Sequence, residues 1–387
     1  MDRLSSLPDD IVLHILSFFL KDTKSFVRFS AVSRQWNTHL ESFVRDFFFD
    51  DESLSPSAIL EFLESQDVPK IGTFHLSFRP PQKCRGEASY GKVIDFATSR
   101  FVNNLAVNFN YDRRYGKVWN TVLWKGLACP SLKTLRLSCC SLGDTFSFPT
   151  VTTMHLENCS IQRFDLFLAC PILKELCLVD PDFYLLRGKT MKPGAKLVRL
   201  SVEYNRPTWW GITKISAPGL EYFRFVVDHG VDMEYFPVVD FPSLQCAVID
   251  AAHPMGIFDL IKNNQKLSKK LRGERRKQNR FCITLFKLLQ GLHKAEYLSL
   301  SPAVIQVLSM LPNIIERHSS PFARLKTLAL LENPVDMDVL PIPANALVYL
   351  LGGSYLVQRC FSFVNGKEKM ASSILRSGYA RFGYLRL

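Results

Sequence analysis

Apolar positions along this chain follow two rhythms, one confined to the start and another spread over most of the remainder. From Leu7 to Phe19 the period is helical. Pro8 stands where a first turn tolerates it, and Asp9 and Asp10 follow at the positive end of the helix dipole. Ile11, Ile15 and Phe18, with Leu7 one turn earlier, form one stripe, while Val12, Leu16 and Phe19 form a second beside it. Two apolar stripes on so short a helix imply two surfaces to be covered. A second helical stretch, from Thr23 to the neighbourhood of Trp36 and Leu40, is apolar at Phe26, Val27, Phe29, Val32 and Trp36 and can cover one of them. The other has no partner within the first fifty residues. A domain that small buries too little surface alone, so a helical partner from another chain is the natural complement.

Downstream the rhythm changes to short strands in the pattern LxxLxLxxCxL, the signature of leucine-rich repeats. The clearest copy is Leu132, Leu135, Leu137, Cys140 and Leu142. Val151, Met154, Leu156, Cys159 and Ile161 repeat it, and Leu173, Leu176, Leu178 and Phe183 follow. Looser copies run through Leu197, Leu200, Val202, Asn205; Leu220, Phe223, Phe225, Asp228; and Leu244, Ala247, Ile249. After a gap the pattern resumes at Ala295, Leu298, Leu300, Ala303, Ile305 and at Leu325, Leu328, Leu330, Asn333, Val335. Ile71, Phe74, Leu76 and Val102, Leu105, Val107 read as two earlier, longer repeats. Prolines in Cys129-Pro130, Cys170-Pro171, Ala217-Pro218 and Phe241-Pro242 cannot donate to a sheet ladder, so they mark where strands begin. Each unit predicts an inward-facing strand, a turn where Cys or Asn is buried, and a variable return segment.

The N-terminal residues, Leu7-Pro8, Asp10-Ile11, Ile15-Leu16 and Ser30-Ala31-Val32-Ser33-Arg34-Gln35-Trp36, resemble the F-box family in order and spacing. In that family the module is a small helical domain that inserts into a Skp-type adaptor, itself held by a cullin scaffold with a RING subunit. The resemblance implies adaptor contact, or its support, for Leu7, Pro8, Ile11, Ile15, Leu16, Val32 and Trp36. An F-box followed by irregular repeats resembles the large plant group of F-box proteins with leucine-rich repeats. Many of these end in a module called FBD, and Phe322 to Leu330 resembles the strand that precedes it, while the last residues depart from it. The expected fold is α/β: a helical F-box over 1–50, then a leucine-rich-repeat solenoid over 51–365, and a divergent tail over 366–387. In such a solenoid a curved parallel sheet lines the concave side, with helices or coil on the convex side.

The chain carries a formal charge of +12, which on its face suggests a nucleic-acid partner. Most of that charge is local. Between residues 261 and 280, nine Lys and Arg are opposed only by Glu274. A basic loop inserted between repeats is predicted there, and Lys269-Lys270 and Arg275-Arg276-Lys277 could serve as a nuclear-import signal. Nucleic-acid binding would want aromatic residues stacked among these charges, and none occurs before Phe281. Apolar residues at 47% and charged residues at 22% predict a folded chain. The acidic start lacks a secretion signal, and no apolar run reaches the roughly 18 residues of a membrane span. A soluble protein of the cytoplasm, the nucleus or both is expected. Its ten cysteines are then reduced and structural rather than paired or metal-binding, so neither metal nor cofactor is expected.

Catalytic motifs fail on inspection. Gly188-Lys189-Thr190 lacks the glycine a phosphate loop needs at position 183, which is Phe183, and no GxSxG or HExxH occurs. Tyr204, Arg206, Trp209 and Trp210 form an aromatic and basic cluster just beyond a strand, a candidate for contact with a protein substrate. The reading is a non-catalytic subunit of a ubiquitin ligase that holds its machinery at one end and an unidentified protein target on the repeats. Two alternatives stay open: a receptor in which a small molecule completes the target site, and a basic nucleic-acid-binding repeat protein.

Overall fold

The computed structural model describes residues 7–18, 46–49, 55–65, 70–78, 87–109, 129–142, 148–161, 169–183, 188–205, 212–227, 236–251, 269–309, 311–331, 344–352 and 363–364. Two compact units divide the chain, Met1–Leu173 and Lys174–Leu387. The first contains α1 (Asp9–Ser17), β1 (Asp46–Phe49), α2 (Pro56–Ser65), β2 (Thr73–Phe78), α3 (Glu87–Ser99), β3 (Asn104–Phe109), β4 (Thr134–Ser138), β5 (Ser141–Leu142), β6 (Thr153–Glu157) and β7 (Ser160–Ile161). Its sheet is parallel throughout in the order β1-β2-β3-β4-β6, and β5 pairs with β7 in a short second ladder.

The second unit contains β8 (Glu175–Val179), β9 (Lys189–Met191), β10 (Arg199–Tyr204), β11 (Ile212–Ser216), β12 (Tyr222–Val227), β13 (Val238–Asp240) and β14 (Cys246–Ala251). Beyond these lie α4 (Lys269–Gly291), β15 (Tyr297–Leu300), α5 (Pro302–Ser309), α6 (Pro312–Ile315), β16 (Thr327–Leu331), α7 (Ala344–Leu351) and β17 (Phe363–Val364). The strands β8-β10-β12-β14-β15-β16-β17 form a parallel sheet, and β9, β11 and β13 form a smaller one. This is the mixed α/β repeat architecture that the strand pattern predicts, consistent with a leucine-rich-repeat solenoid.

Five of the repeats open on the same proline-marked turn. Leu132 N–H donates to the Cys129 carbonyl, and the bond recurs at Val151 to Phe148, Leu173 to Cys170, Leu220 to Ala217 and Leu244 to Phe241. The prolines at 130, 149, 171, 218 and 242 occupy the second position of these turns, where a fixed φ is pre-organised and no N–H is needed. They therefore sit one turn ahead of the strand. The strand then starts on a shared acceptor: both Lys133 and Thr134 N–H groups meet the Asn103 carbonyl, and both Glu221 and Tyr222 meet that of Val198.

Alternation does the rest. In β4 and β6, Leu135, Leu137, Met154 and Leu156 are buried, as are Phe223, Phe225, Ala247 and Ile249 in β12 and β14, and the intervening residues face solvent. Register stacks like on like, Leu105 beside Leu135 and Leu135 beside Met154, so each repeat covers its neighbour's apolar edge. Burying such a side chain contributes about 1.5–3 kcal/mol.

The chain then leaves the strand through a left-handed residue, at Cys139 (φ 59°), Asn158 (φ 51°) and Asp180 (φ 46°). Next comes a buried cysteine, Cys140 or Cys159, whose sulfurs lie 3.5 Å apart. Asp180 takes a related part, its Oδ1 accepting the Asn205 N–H at 2.6 Å.

Three features differ from the sequence reading. The basic segment is not simply a loop: α4 starts at Lys269, because Lys, Arg, Gln and Leu are good helix formers and the run leads into Phe281, Leu285, Leu288, Leu289 and Leu292, all buried. Asp46–Phe49, within the segment read as F-box, forms the first strand of the sheet by pairing with β2. The short ladders β5–β7 and β9–β11–β13 also escaped notice, since strands of two to five residues carry too few alternations to stand out. The tail over 366–387 lies outside the described residues.

Candidate functional site

Helix α1 opens on Pro8, whose carbonyl accepts the N–H groups of Ile11 and Val12 at 3.0 and 3.1 Å. Of the second stripe seen in the sequence, Val12 is the residue whose side chain is described. Val12 is fully buried. On the other side Ile11 is 46% exposed and Phe18 72% exposed, with Pro8 also exposed and Leu7 and Ile15 half-buried. His14 meets Phe18 edge to face at 4.9 Å. Leu7, Ile11, Ile15 and Phe18 thus present an apolar stripe that a partner helix or groove would cover. Leu16 lies in α1 but its side chain, like all of Val32 and Trp36, falls outside the described residues.

The solvent faces of the sheets supply a second kind of surface. In the second unit, register places Glu175, Arg199, Tyr222, Cys246 and Tyr297 in one row across β8, β10, β12, β14 and β15. The next row is Cys177, Ser201, Arg224 and Val248, and beyond it lie Val179, Glu203, Val226 and Asp250. Arg199 stacks its guanidinium over the Tyr222 ring at 4.7 Å. Arg224 grips Glu203 at 2.8 Å, whereas Arg199 only approaches Glu175 at 3.9 Å. Burial raises the phenol of Tyr222 and pushes both the Cys246 thiol and the Tyr297 phenol up to about 12. All three are therefore uncharged at neutral pH.

In the first unit the corresponding face carries the row Phe48, His75, Ala106, Arg136 and His155. Phe48 and His75 meet edge to face at 6.0 Å, and Arg136 is exposed. Small polar residues flank this row, with Thr73, Asn104, Thr134 and Thr153 on one side.

Of the candidate target patch, the described residues include Tyr204 alone. Tyr204 is fully buried on β10, its ring 6.1 Å from that of Phe225. As the sixth residue of the strand it shares the inward side with Leu200 and Val202, and this period-two placement makes it core instead of contact surface. Arg206, Trp209 and Trp210 lie outside the described residues. The face residues Arg199, Tyr222, Arg224 and Tyr297 went unread, although they occupy the polar positions of the same strand motif.

The thiols of Cys140 and Cys170 are raised, the first chiefly by its hydrogen bond with Cys159 and the second by burial, to about 12, which suits packing and not nucleophilic work. Among the described residues no three His, Cys, Asp or Glu side chains converge as a metal site would require. None of their helices is long and apolar enough to cross a membrane.

A family model described as F-box-like matches residues 4–50. An F-box/LRR-repeat protein of Arabidopsis thaliana is 23% identical over 342 residues, 81% of this chain and 68% of the relative. F-box/LRR-repeat protein 25 of the same plant is 28% identical over 58% of this chain and 85% of its own length. An F-box/FBD/LRR-repeat protein, also from Arabidopsis thaliana, is 30% identical over 57% of this chain, and the match spans half of that relative.

Proposed function

On the premise that residues 4–50 are F-box-like and that the chain is similar to plant F-box/LRR-repeat proteins over most of its length, we propose that it is the substrate-recognition subunit of a Skp-cullin-F-box ubiquitin ligase. The single observation that carries this is the apolar stripe of Leu7, Ile11, Ile15 and Phe18 along and beside α1, open to solvent at Ile11 and Phe18 and half-buried at Leu7 and Ile15, set inside the F-box-like match. Such a stripe fits the apolar groove of a Skp-type adaptor. Through the adaptor the chain would reach the cullin and RING subunits, while the solvent faces of the repeats hold a protein target. No bond is made or broken by this chain. It acts by raising the effective concentration of the target near activated ubiquitin, for which rigid strands and a docked helix suffice.

Co-expression with a Skp-type adaptor followed by size-exclusion chromatography tests the docking. A one-to-one complex is expected, and Leu7→Ala combined with Pro8→Ala should weaken adaptor capture at least about tenfold, as truncation at a hot spot does. Capture unchanged by the double substitution would overturn the docking reading.

A further inference from the structure

The solvent face of β8, β10, β12, β14 and β15 carries more chemistry than a generic polar sheet. We propose that it binds a protein segment in which a carboxylate side chain lies beside an apolar one, the carboxylate held by Arg199 and the apolar group seated between Tyr222 and Tyr297. The proposal rests on the reading of the repeats as the target-holding part of the chain and names the chemistry they select.

Arg199 and Arg224 differ in what they have left to offer. Arg224 sits 2.8 Å from Glu203, with both side chains more than two-thirds covered, so its charge is matched. Arg199 reaches Glu175 only at 3.9 Å, and the Glu175 side chain is 52% exposed. A solvent-screened contact of that length holds weakly, so an incoming carboxylate can displace it and form a two-pronged pair with the guanidinium. Stacking on Tyr222 at 4.7 Å holds the guanidinium plane in place beforehand, so little side-chain entropy remains to be lost on binding.

Beside this cation the floor is apolar. Tyr222, Cys246 and Tyr297 lie side by side in register, and with strands spaced about 4.8 Å apart the two tyrosines stand roughly 10 Å apart across the small thiol. Val248 continues the floor one row further on, beside Arg224. Tyrosine and arginine around an apolar centre are what interface hot spots are made of. Neither phenol nor the thiol is charged at neutral pH, so nothing in the row opposes the carboxylate except Glu175. In the third row Glu203 is already paired with Arg224, so neither of those rows offers a second cation to spare. The selection is thus for one carboxylate near the start of the strands with an apolar neighbour, not for a run of negative charge.

The test uses the full chain in complex with its Skp-type adaptor, immobilised and panned against a phage-displayed library of random linear peptides, with adaptor alone as the reference. The expected outcome is enrichment of peptides with Asp or Glu within a few residues of an apolar or aromatic residue. Arg199→Glu should remove the acidic preference and weaken the best selected peptide at least about tenfold; Tyr297→Ala should weaken it about as much while keeping that preference. Arg136→Glu, on the face of the other unit, should change neither. The proposal is overturned by no enrichment above adaptor alone, by enrichment without an acidic residue, by a preference that survives Arg199→Glu, or by one that Arg136→Glu removes. The one-to-one adaptor complex is measured on the same preparations. Peptide failure with the adaptor still bound sinks this inference alone and leaves the ligase reading standing.

Discussion

Tyr204 shows how a single residue changes meaning once its strand is in place. Next to Arg206 and two tryptophans in sequence, it looks like part of a contact cluster; on β10 it is the third inward side chain after Leu200 and Val202. The period-two pattern already carried that placement, and the aromatic cluster overrode it. Replacing it should therefore cost stability and not target binding. Tyr204→Ala is expected to destabilise the chain by about 3–5 kcal/mol, read from chemical denaturation, whereas a surface position would lose less than about 0.5 kcal/mol. The buried thiols and phenols make a second residue-level expectation. Cys170 and Cys246 ordinarily titrate near 9 and Tyr297 near 10, and burial pushes all three to about 12 in the folded chain. Because the folded values lie above the unfolded ones, the native state holds these protons more tightly. Their stabilisation is complete below about pH 9 and is lost as pH rises from there through about 12. Denaturation midpoints measured at pH 8 and at pH 10.5 should fall between the two.

At the scale of elements, the repeating turn is both the most legible feature and the most exacting. Cys129-Pro130, Cys170-Pro171, Ala217-Pro218 and Phe241-Pro242 announce it in the sequence. What it does with its third residue emerges only in three dimensions. Ser131 Oγ donates to the Val102 carbonyl and Thr150 Oγ1 to that of Leu132, both at 2.9 Å, tying one repeat to the one before. At the same position Gly219 packs straight against the preceding turn, and a methyl group there would collide with the Ala195 carbonyl oxygen. Gly219→Ala should consequently destabilise by about 1–3 kcal/mol, as overpacking does, visible as a lowered Tm of the purified adaptor complex. Helix α4 was misread for the opposite reason: a dense run of charge resembles a solvated loop, yet helix propensity and the buried face from Phe281 to Leu292 outweigh that resemblance. The stripes of α1 were legible because Leu7, Ile11, Ile15 and Phe18 obey one helical period while Val12 obeys another.

For the whole molecule, the strand motif made the α/β repeat architecture readable before any coordinates, down to most of the inward residues. Solvent-face residues were not readable in the same way. A recognition surface is assembled from single residues on strands some twenty or more positions apart, so Arg199, Tyr222 and Tyr297 are neighbours only after register is known. The two ends of the chain are then expected to be separable in function. The most direct measurement is affinity capture of the full chain from plant cells with the proteasome blocked, quantified by mass spectrometry for three forms: unaltered, Ile11→Asp with Ile15→Asp, and Tyr222→Ala with Tyr297→Ala. The expected result is that the helix substitutions lose adaptor and cullin while keeping target proteins, and the face substitutions lose targets while keeping adaptor and cullin. Absence of adaptor from the unaltered chain, or joint loss of both classes in either variant while it remains folded, would contradict a protein that docks with one end and selects with the other.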